Sequence, residues 1–209
     1  MKKYIFDFDG TLVDSMPVWA DFILSHLDSV GVEYPSDIIK IVSPLGTRGA
    51  AEYLITLGVD ATVDELLDLM DSFAMEEYTN NIPAKRCVIK KLAELKEKGH
   101  SLNIFTACRH NMLDVCLKRL NIFDMFDNII SCEEDMGINK KMSSSYLKLA
   151  EKLDTVCENC VFFDDNIDAI SAAHESGMVT VGVYDESSAQ WESDMRIIAD
   201  KYIYTFEEI

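Results

Sequence analysis

The sequence predicts an α/β protein with a doubly wound parallel sheet and an inserted helical domain. Short apolar runs alternate with amphipathic segments over most of the chain, which is typical of strands and helices that build a parallel sheet. The alternation is interrupted between residues 15 and 82, where apolar residues keep helical spacing and no strand pattern occurs. We therefore expect a core of residues 1–14 and 83–209 and an inserted helical domain of residues 15–82.

The strands of the predicted core are five short apolar runs. They cover residues 4–6, 102–105, 128–130, 161–163 and 179–183. Between the second and third runs, Leu113, Leu117 and Leu120 share the spacing of one helix face. Gly99 and Gly177 each follow a helical pattern and precede a strand, at a position where a left-handed backbone ends the helix. These signals predict strand and helix in alternation along the core.

The inserted domain contains helical patterns over residues 19–30 and 62–78. The second pattern begins with Thr62-Val63-Asp64-Glu65, a capping box in which side chains and backbone exchange hydrogen bonds. In sheets of this kind, ligands bind at the carboxyl ends of the strands. Because the insertion directly follows the first strand, we expect it to overhang such a site.

Composition and charge disfavour several classes of function. The chain has 209 residues, and 19 Lys and Arg against 37 Asp and Glu give a net charge of −18, which disfavours nucleic acid and anionic lipid as partners. No stretch reaches the roughly 18 apolar residues that a membrane span needs, and Asp7 interrupts the first apolar run before it could serve as a signal sequence. Six cysteines in such a chain are typical of reduced thiols, so we expect a cytoplasmic protein.

Polar side chains collect at the carboxyl ends of the predicted strands. Asp7 and Asp9 end the first run and alternate onto one side, Thr106 ends the second run, and Asp164-Asp165 ends the fourth. Lys140 precedes a predicted helix and adds a cation. Carboxylate oxygens suit Mg²⁺, while a lysine and a hydroxyl can bind phosphoryl oxygens. These residues therefore predict a site for magnesium and phosphate, with phosphoryl transfer as the reaction.

The residues that carry this chemistry resemble a known family. The segment Asp7-Phe8-Asp9-Gly10-Thr11, followed by Thr106, Lys140 and Asp164-Asp165, is similar to the four motifs of the haloacid dehalogenase-like superfamily. The helical insertion and the closing residues 202–208 resemble its phosphoglycolate phosphatase and β-phosphoglucomutase branch. The resemblance implies a Rossmann-like core with a cap domain. A true dehalogenase lacks the acid at position 9, so this acid favours phosphoryl chemistry.

The resemblance also implies roles for individual residues. Asp7 would be the nucleophile that forms an aspartyl-phosphate, and Asp9 the general acid that later acts as base toward water. Thr106 and Lys140 would bind the phosphoryl oxygens. The usual proline-rich turn after the motif lysine is absent here, so Lys141 is the alternative to Lys140 for this role.

For the metal, the resemblance implies that Mg²⁺ is held by Asp7, by the backbone carbonyl of Asp9 and by Asp165. Asp164 would lie close by, either as a ligand or just outside the ligand shell. At position 169 an alanine stands where the branch often has glycine, a change that we expect to be tolerated.

Three further residues are weaker candidates for binding the substrate. Arg48 lies in Gly46-Thr47-Arg48, which resembles the cap loop that contacts the substrate, and Ala107 and Arg109 follow Thr106. The alternative for the arginines is a solvated position without a ligand.

The expected function is a magnesium-dependent phosphatase that hydrolyses a small phosphorylated metabolite, either phosphoglycolate-like or a sugar phosphate. A β-phosphoglucomutase-like phosphosugar mutase is the alternative within the same branch. A signalling receiver module and a catalytically inactive relative are the alternatives outside it. We expect a monomer or a weak dimer.

Overall fold

The computed structural model describes residues 2–209, apart from the side chain of Pro44. The chain forms two compact units. The first, here called the sheet unit, comprises Met1–Asp14 and Pro83–Ile209, and the second, the helical unit, comprises Ser15–Ile82. Whether the helical unit serves as a cap for the other stays a prediction.

One parallel sheet is the centre of the sheet unit. Its strands are β1 (Lys3–Phe6), β2 (Ser101–Thr106), β3 (Asn128–Ser131), β4 (Cys160–Asp164), β5 (Val179–Val183) and β6 (Lys201–Ile203). They lie in the order β3-β2-β1-β4-β5-β6, and every neighbouring pair is parallel. The predicted doubly wound parallel sheet is confirmed. The sixth strand was not among the five predicted runs, since it has only three residues and a single fully buried side chain, Ile203.

Nine α-helices occur within residues 2–209. In the helical unit they are α1 (Met16–Val30), α2 (Ile38–Val42), α3 (Gly46–Thr56) and α4 (Val63–Asn80). In the sheet unit they are α5 (Val88–Glu97), α6 (His110–Arg119), α7 (Ser143–Lys152), α8 (Ile167–Glu175) and α9 (Glu192–Ile198). Short 3₁₀ turns connect several of them.

The sheet is buried on both faces, as parallel sheets usually are. On one face, Phe162 of β4 packs edge-on against Tyr146 of α7, with ring centroids 5.0 Å apart. The next residue, Phe163, points to the other face and stacks on Phe6 at 4.8 Å. Phe206 near the C-terminus packs against both of these rings. This alternation places two apolar layers around strands whose carboxyl ends remain polar.

The helical unit has an apolar core of its own, which includes the fully buried Leu27, Leu54 and Leu66. Helix α4 begins with the predicted capping box. The backbone N–H of Glu65 donates to Thr62 Oγ1 at 3.2 Å, and the backbone N–H of Thr62 donates to Glu65 Oε2 at 2.8 Å. No strand lies among the described residues of this unit, as the spacing predicts.

The two chain segments that lead into and out of the helical unit pair with each other inside the sheet unit. The backbone N–H of Asp14 donates to the Pro83 carbonyl at 2.9 Å, and that of Lys85 donates to the Leu12 carbonyl at 2.9 Å. Val13 and Ala84 form an antiparallel bridge between these bonds. The insertion therefore leaves and re-enters the sheet unit at neighbouring points.

Two predicted absences concern membranes and disulfides. No helix of the described chain is both long and apolar enough to cross a bilayer. All six cysteines are free thiols, and five of them are buried.

Candidate active site

The candidate site lies where the strand order of the sheet reverses. Strand β1 has β2 on one side and β4 on the other, and their connections run in opposite directions from it. Such a switch point opens a crevice at the carboxyl ends of the strands. Asp7 follows β1, Thr106 is the last residue of β2, and Asp164 is the last residue of β4. The fold thus gathers residues from three distant parts of the sequence.

Three carboxylates form a cluster at this edge. Asp7, Asp164 and Asp165 each have an oxygen within 4.8 Å of the other two, and all three side chains are buried. Burial, together with the charges of the neighbouring acids, raises the pKa of Asp165 well above its usual range. Burial likewise raises the pKa of Asp164, and the positive charge of Lys140 partly opposes this rise. A hard cation with oxygen ligands would relieve this repulsion, so the donor set fits Mg²⁺.

Lys140 is the cation of the cluster. Its Nζ lies 2.6 Å from Asp7 Oδ1 and 2.6 Å from Asp164 Oδ2. Burial alone would lower the pKa of Lys140, but the charges of Asp164 and Asp7 outweigh it and raise the pKa well above its usual value. The lysine is therefore charged and forms ion pairs with two of the three acids. Lys141 lies outside the cluster, half exposed, with its Nζ 2.9 Å from Asp168 Oδ2.

The turn after β1 brings the backbone close to Asp165. Gly10 has a φ of +70°, and a Cβ at this position would lie 2.7 Å from the Asp165 carboxylate. Glycine is needed here both for the left-handed backbone and for the close approach. Thr11 Oγ1 donates to Asp165 Oδ1 at 3.3 Å. The motif of Gly and Thr thus positions one of the three carboxylates.

Asp9 lies in the turn that follows strand β1. Strand β1 ends at Phe6, and the backbone N–H groups of residues 11–13 all point to the Phe8 carbonyl in a tight turn. Asp9 is half-buried, and its carboxylate is not part of the three-acid cluster. Burial raises the pKa of Cys108, with the nearby charges of Asp9 and Asp7 as further causes. Asp9 and Asp7 thus both lie near Cys108 of the loop after β2.

That loop carries the predicted hydroxyl. Thr106 is buried, and its Oγ1 accepts a hydrogen bond from the backbone N–H of Cys108 at 3.1 Å. Ala107 and Arg109 are exposed on the same loop, just before α6. Their proposed contact with a substrate stays a prediction.

His110 begins α6 and is held by acids. Its Nε2 lies 2.8 Å from Asp135 Oδ2 and its Nδ1 3.3 Å from Asp114 Oδ1. The hydrogen bond to Asp135 is the main cause that raises the pKa of His110, and burial opposes it. The ring therefore links α6 to the loop after β3.

Arg48 belongs to the helical unit. Its predicted loop is in fact the first turn of α3, since Ala50, Ala51 and Leu54 supply a buried helical stripe that extends back to Gly46. The guanidinium is 62% exposed and lies 3.5 Å from Asp64 Oδ1. Its role toward a substrate stays a prediction.

One buried ion pair near the site was not predicted. Lys85 Nζ lies 2.7 Å from Asp185 Oδ2 and donates to the Tyr184 carbonyl at 2.8 Å. Asp185 lies two residues beyond the end of β5, so an acid shortly after a predicted strand was the available signal.

Comparison with known proteins decides the family. A family model described as haloacid dehalogenase-like hydrolase matches residues 4–183, which include Asp7, Thr106, Lys140 and Asp165. The chain belongs to the haloacid dehalogenase-like hydrolases. Membership decides against the signalling receiver as an alternative.

Several curated relatives of this haloacid dehalogenase-like hydrolase are named as phosphatases. Hexitol phosphatase B of Escherichia coli (strain K12) is 24% identical over 220 residues, which cover 98% of this chain and 92% of the relative. A phosphoglycolate phosphatase of Psychrobacter arcticus is 26% identical over 188 residues, which cover 86% and 81%. The predictions of the family, of its phosphatase branch and of a phosphatase-type enzyme are confirmed.

A solved structure shares the fold. A β-phosphoglucomutase from Clostridium difficile superposes with a TM-score of 0.74 at 17% identity, over 100% of this chain and 93% of its own. At this identity the likeness concerns the architecture alone.

Proposed function

We propose that this enzyme is a magnesium-dependent phosphatase that hydrolyses a small phosphomonoester through an aspartyl-phosphate on Asp7. The observation that carries the proposal is the buried cluster of Asp7, Asp164 and Asp165 with Lys140 Nζ 2.6 Å from Asp7 Oδ1. The relatives named as hexitol phosphatase and phosphoglycolate phosphatase support a small phosphorylated metabolite as the substrate.

The metal would be held by Asp7, Asp165 and the backbone carbonyl of Asp9, with Asp164 beside them. When bound, Mg²⁺ supplies positive charge between the carboxylates and the phosphoryl group, so that two anions can approach each other. The buried acids fit this role because their own repulsion is relieved by a cation.

The chain's residues divide the reaction into two displacements. Asp7 attacks phosphorus, the bond from phosphorus to the leaving oxygen breaks, and Asp9 donates a proton to that oxygen. Asp9 then takes a proton from water, which attacks the aspartyl-phosphate and releases inorganic phosphate. Lys140 and Thr106 bind the phosphoryl oxygens and stabilise the charge that develops on them.

The test is turnover of p-nitrophenyl phosphate and of a panel of sugar and carboxylic-acid phosphates, with release of inorganic phosphate as the readout. Chelation should abolish activity and added Mg²⁺ should restore it. Ca²⁺ should substitute poorly, since its bonds to oxygen are about 2.3–2.6 Å against about 2.0–2.1 Å for Mg²⁺. Asp7→Asn is the matched inactive control.

Three outcomes would contradict the proposal. Full activity in excess chelator would overturn the metal assignment. Conversion of a sugar phosphate to its isomer without release of phosphate would indicate the mutase. No turnover of any phosphate ester, with the metal bound, would indicate an inactive relative.

A further inference from the structure

Lys85 and Asp185 form a largely buried ion pair in the sheet unit, separate from the pairs that Lys140 makes. The two side chains are only 15% and 5% exposed, and Nζ lies 2.7 Å from Oδ2. Each partner also makes further hydrogen bonds. Lys85 Nζ donates to the Tyr184 carbonyl, while Asp185 Oδ1 accepts from the backbone N–H and the hydroxyl of Ser187 at 2.9 and 2.6 Å.

The pair connects two segments that border the carboxylate cluster. Lys85 lies on the segment that returns from the helical unit, and its backbone N–H donates to Leu12, just after the turn at Gly10. Asp185 lies two residues beyond β5, the neighbour of the strand that carries Asp164. Both charges are therefore fixed, by several bonds each, at the edge of the sheet where the three acids meet.

The two charges act on the cluster with opposite sign. A cation held at the cluster would be attracted by the negative charge of Asp185 and repelled by the positive charge of Lys85. Because both groups are largely shielded from water, salt screens them less than it would screen surface charges. While both are present, their effects offset each other.

We propose that Asp185 strengthens and Lys85 weakens the binding of a divalent cation at the Asp7, Asp164 and Asp165 cluster, each through its own charge. This inference rests on the proposed metal site. Residues just outside a ligand shell commonly tune affinity in this way. Lys85 and Asp185 are accordingly positioning residues that touch neither the substrate nor the reacting atoms.

Single substitutions should move the affinity in opposite directions. Lys85→Met leaves the negative charge of Asp185 and should tighten cation binding by about three- to tenfold, while Asp185→Asn leaves the ammonium and should weaken it by a similar factor. The double variant Lys85→Met/Asp185→Leu removes both charges and should stay within about twofold of the parent.

The measurement is the dissociation constant of Mn²⁺, obtained from the electron paramagnetic resonance of the free ion with the full chain at pH 8 and low salt, without substrate. Competition with Mg²⁺ gives the second constant. Lys85→Arg and Asp185→Glu keep the charges and should bind like the parent. Arg86→Met is the control for an exposed pair, because Arg86 and Glu207 are 73% and 56% exposed.

The outcomes separate the possible roles. Opposite shifts for the two single variants, cancelled in the double variant, support the proposal. Weaker binding in both single variants would overturn it in favour of a purely structural pair, and shifts below twofold in folded variants would overturn it as well. Since Mn²⁺ binding needs no turnover, a failure of the proposed phosphatase activity would show in the phosphate assay instead.

Discussion

Lys140 Nζ lies 2.6 Å from Asp7 Oδ1, although 133 positions separate the two residues in the sequence. The same ammonium lies at the same distance from Asp164 Oδ2. One lysine thus joins the residue after β1 to the last residue of β4, within the cluster of three acids. The chemistry proposed for Asp7 depends on this arrangement.

We expect Lys140→Met to lower kcat/KM by about 10²- to 10³-fold, because the charge that binds the phosphoryl oxygens is lost. Lys141→Met is the matched control and should stay within about twofold, since its pair with Asp168 is exposed and such pairs contribute about 0–1 kcal/mol. Steady-state kinetics on one phosphate ester decides between them. A larger loss for the Lys141 variant would reverse the assignment.

The two acids of the first motif should differ in their effect on covalent chemistry. Asp7→Asn should form no phosphoenzyme with any donor. Asp9→Asn should still be phosphorylated by acetyl phosphate, whose leaving group needs no acid, yet it should turn over a sugar phosphate slowly. Trapping of the labelled phosphoenzyme by rapid quench measures both. Equal losses of activity with both donors in the Asp9→Asn variant would show that Asp9 is not the general acid for the leaving group.

Gly10→Ala should impair metal binding as well as stability. The left-handed backbone alone should cost about 1 kcal/mol of the free energy of unfolding. Gly137→Ala is the control, because Gly137 has a φ of +61° and open space around its Cβ position. Urea denaturation should show a loss in both variants. Only Gly10→Ala should also weaken Mn²⁺ binding, because its Cβ would displace the Asp165 carboxylate, and equal Mn²⁺ affinities would contradict this.

His110 should make part of the stability depend on pH. Its hydrogen bond to Asp135 raises its pKa in the folded protein, so the folded state binds the proton more tightly than the unfolded state. The stabilisation is complete below the unfolded pKa of about 6.5 and is lost as the pH rises through the higher folded value.

His110→Asn tests this dependence. The difference in the free energy of unfolding between the parent and this variant should be larger at pH 6 than at pH 9. It should shrink in 1 M salt, since the ring is about one-third exposed. A difference that grows with pH would contradict the assignment of His110 as a charged partner of Asp135.

Local patterns in the sequence were sufficient for much of the fold. Strands β1 to β5 are apolar runs, and the start of α4 is set by the exchange between Thr62 and Glu65, three residues apart. Strand β6 has too few buried residues for its pattern to stand out. The start of α3 was interpreted as a loop because Gly46-Thr47-Arg48 resembles the family's cap loop, whereas the structure has a helix from Gly46 to Thr56.

The site was predictable wherever a residue ends a strand, as Thr106 and Asp164 do. The turn after Phe6 was not predictable in this way, because it depends on the left-handed backbone of Gly10 and on its close approach to Asp165. The pairing of Lys85 with Asp185 was beyond local reasoning as well. A hundred positions separate these residues, and only the completed sheet brings them together.

The hydrogen bonds between Leu12 and Lys85 and between Asp14 and Pro83 hold the two ends of the insertion side by side, so the insertion joins the sheet unit at one place. The length of the inserted segment has little effect on the strand register of the sheet unit, because the two ends of the segment are bonded to each other. The entropy lost on closing such a loop also grows only slowly with its length. A short linker from Asp14 to Pro83 would leave the strand order untouched. The inserted helices can therefore vary in sequence, or be replaced as a whole, without moving the buried acids of the sheet unit.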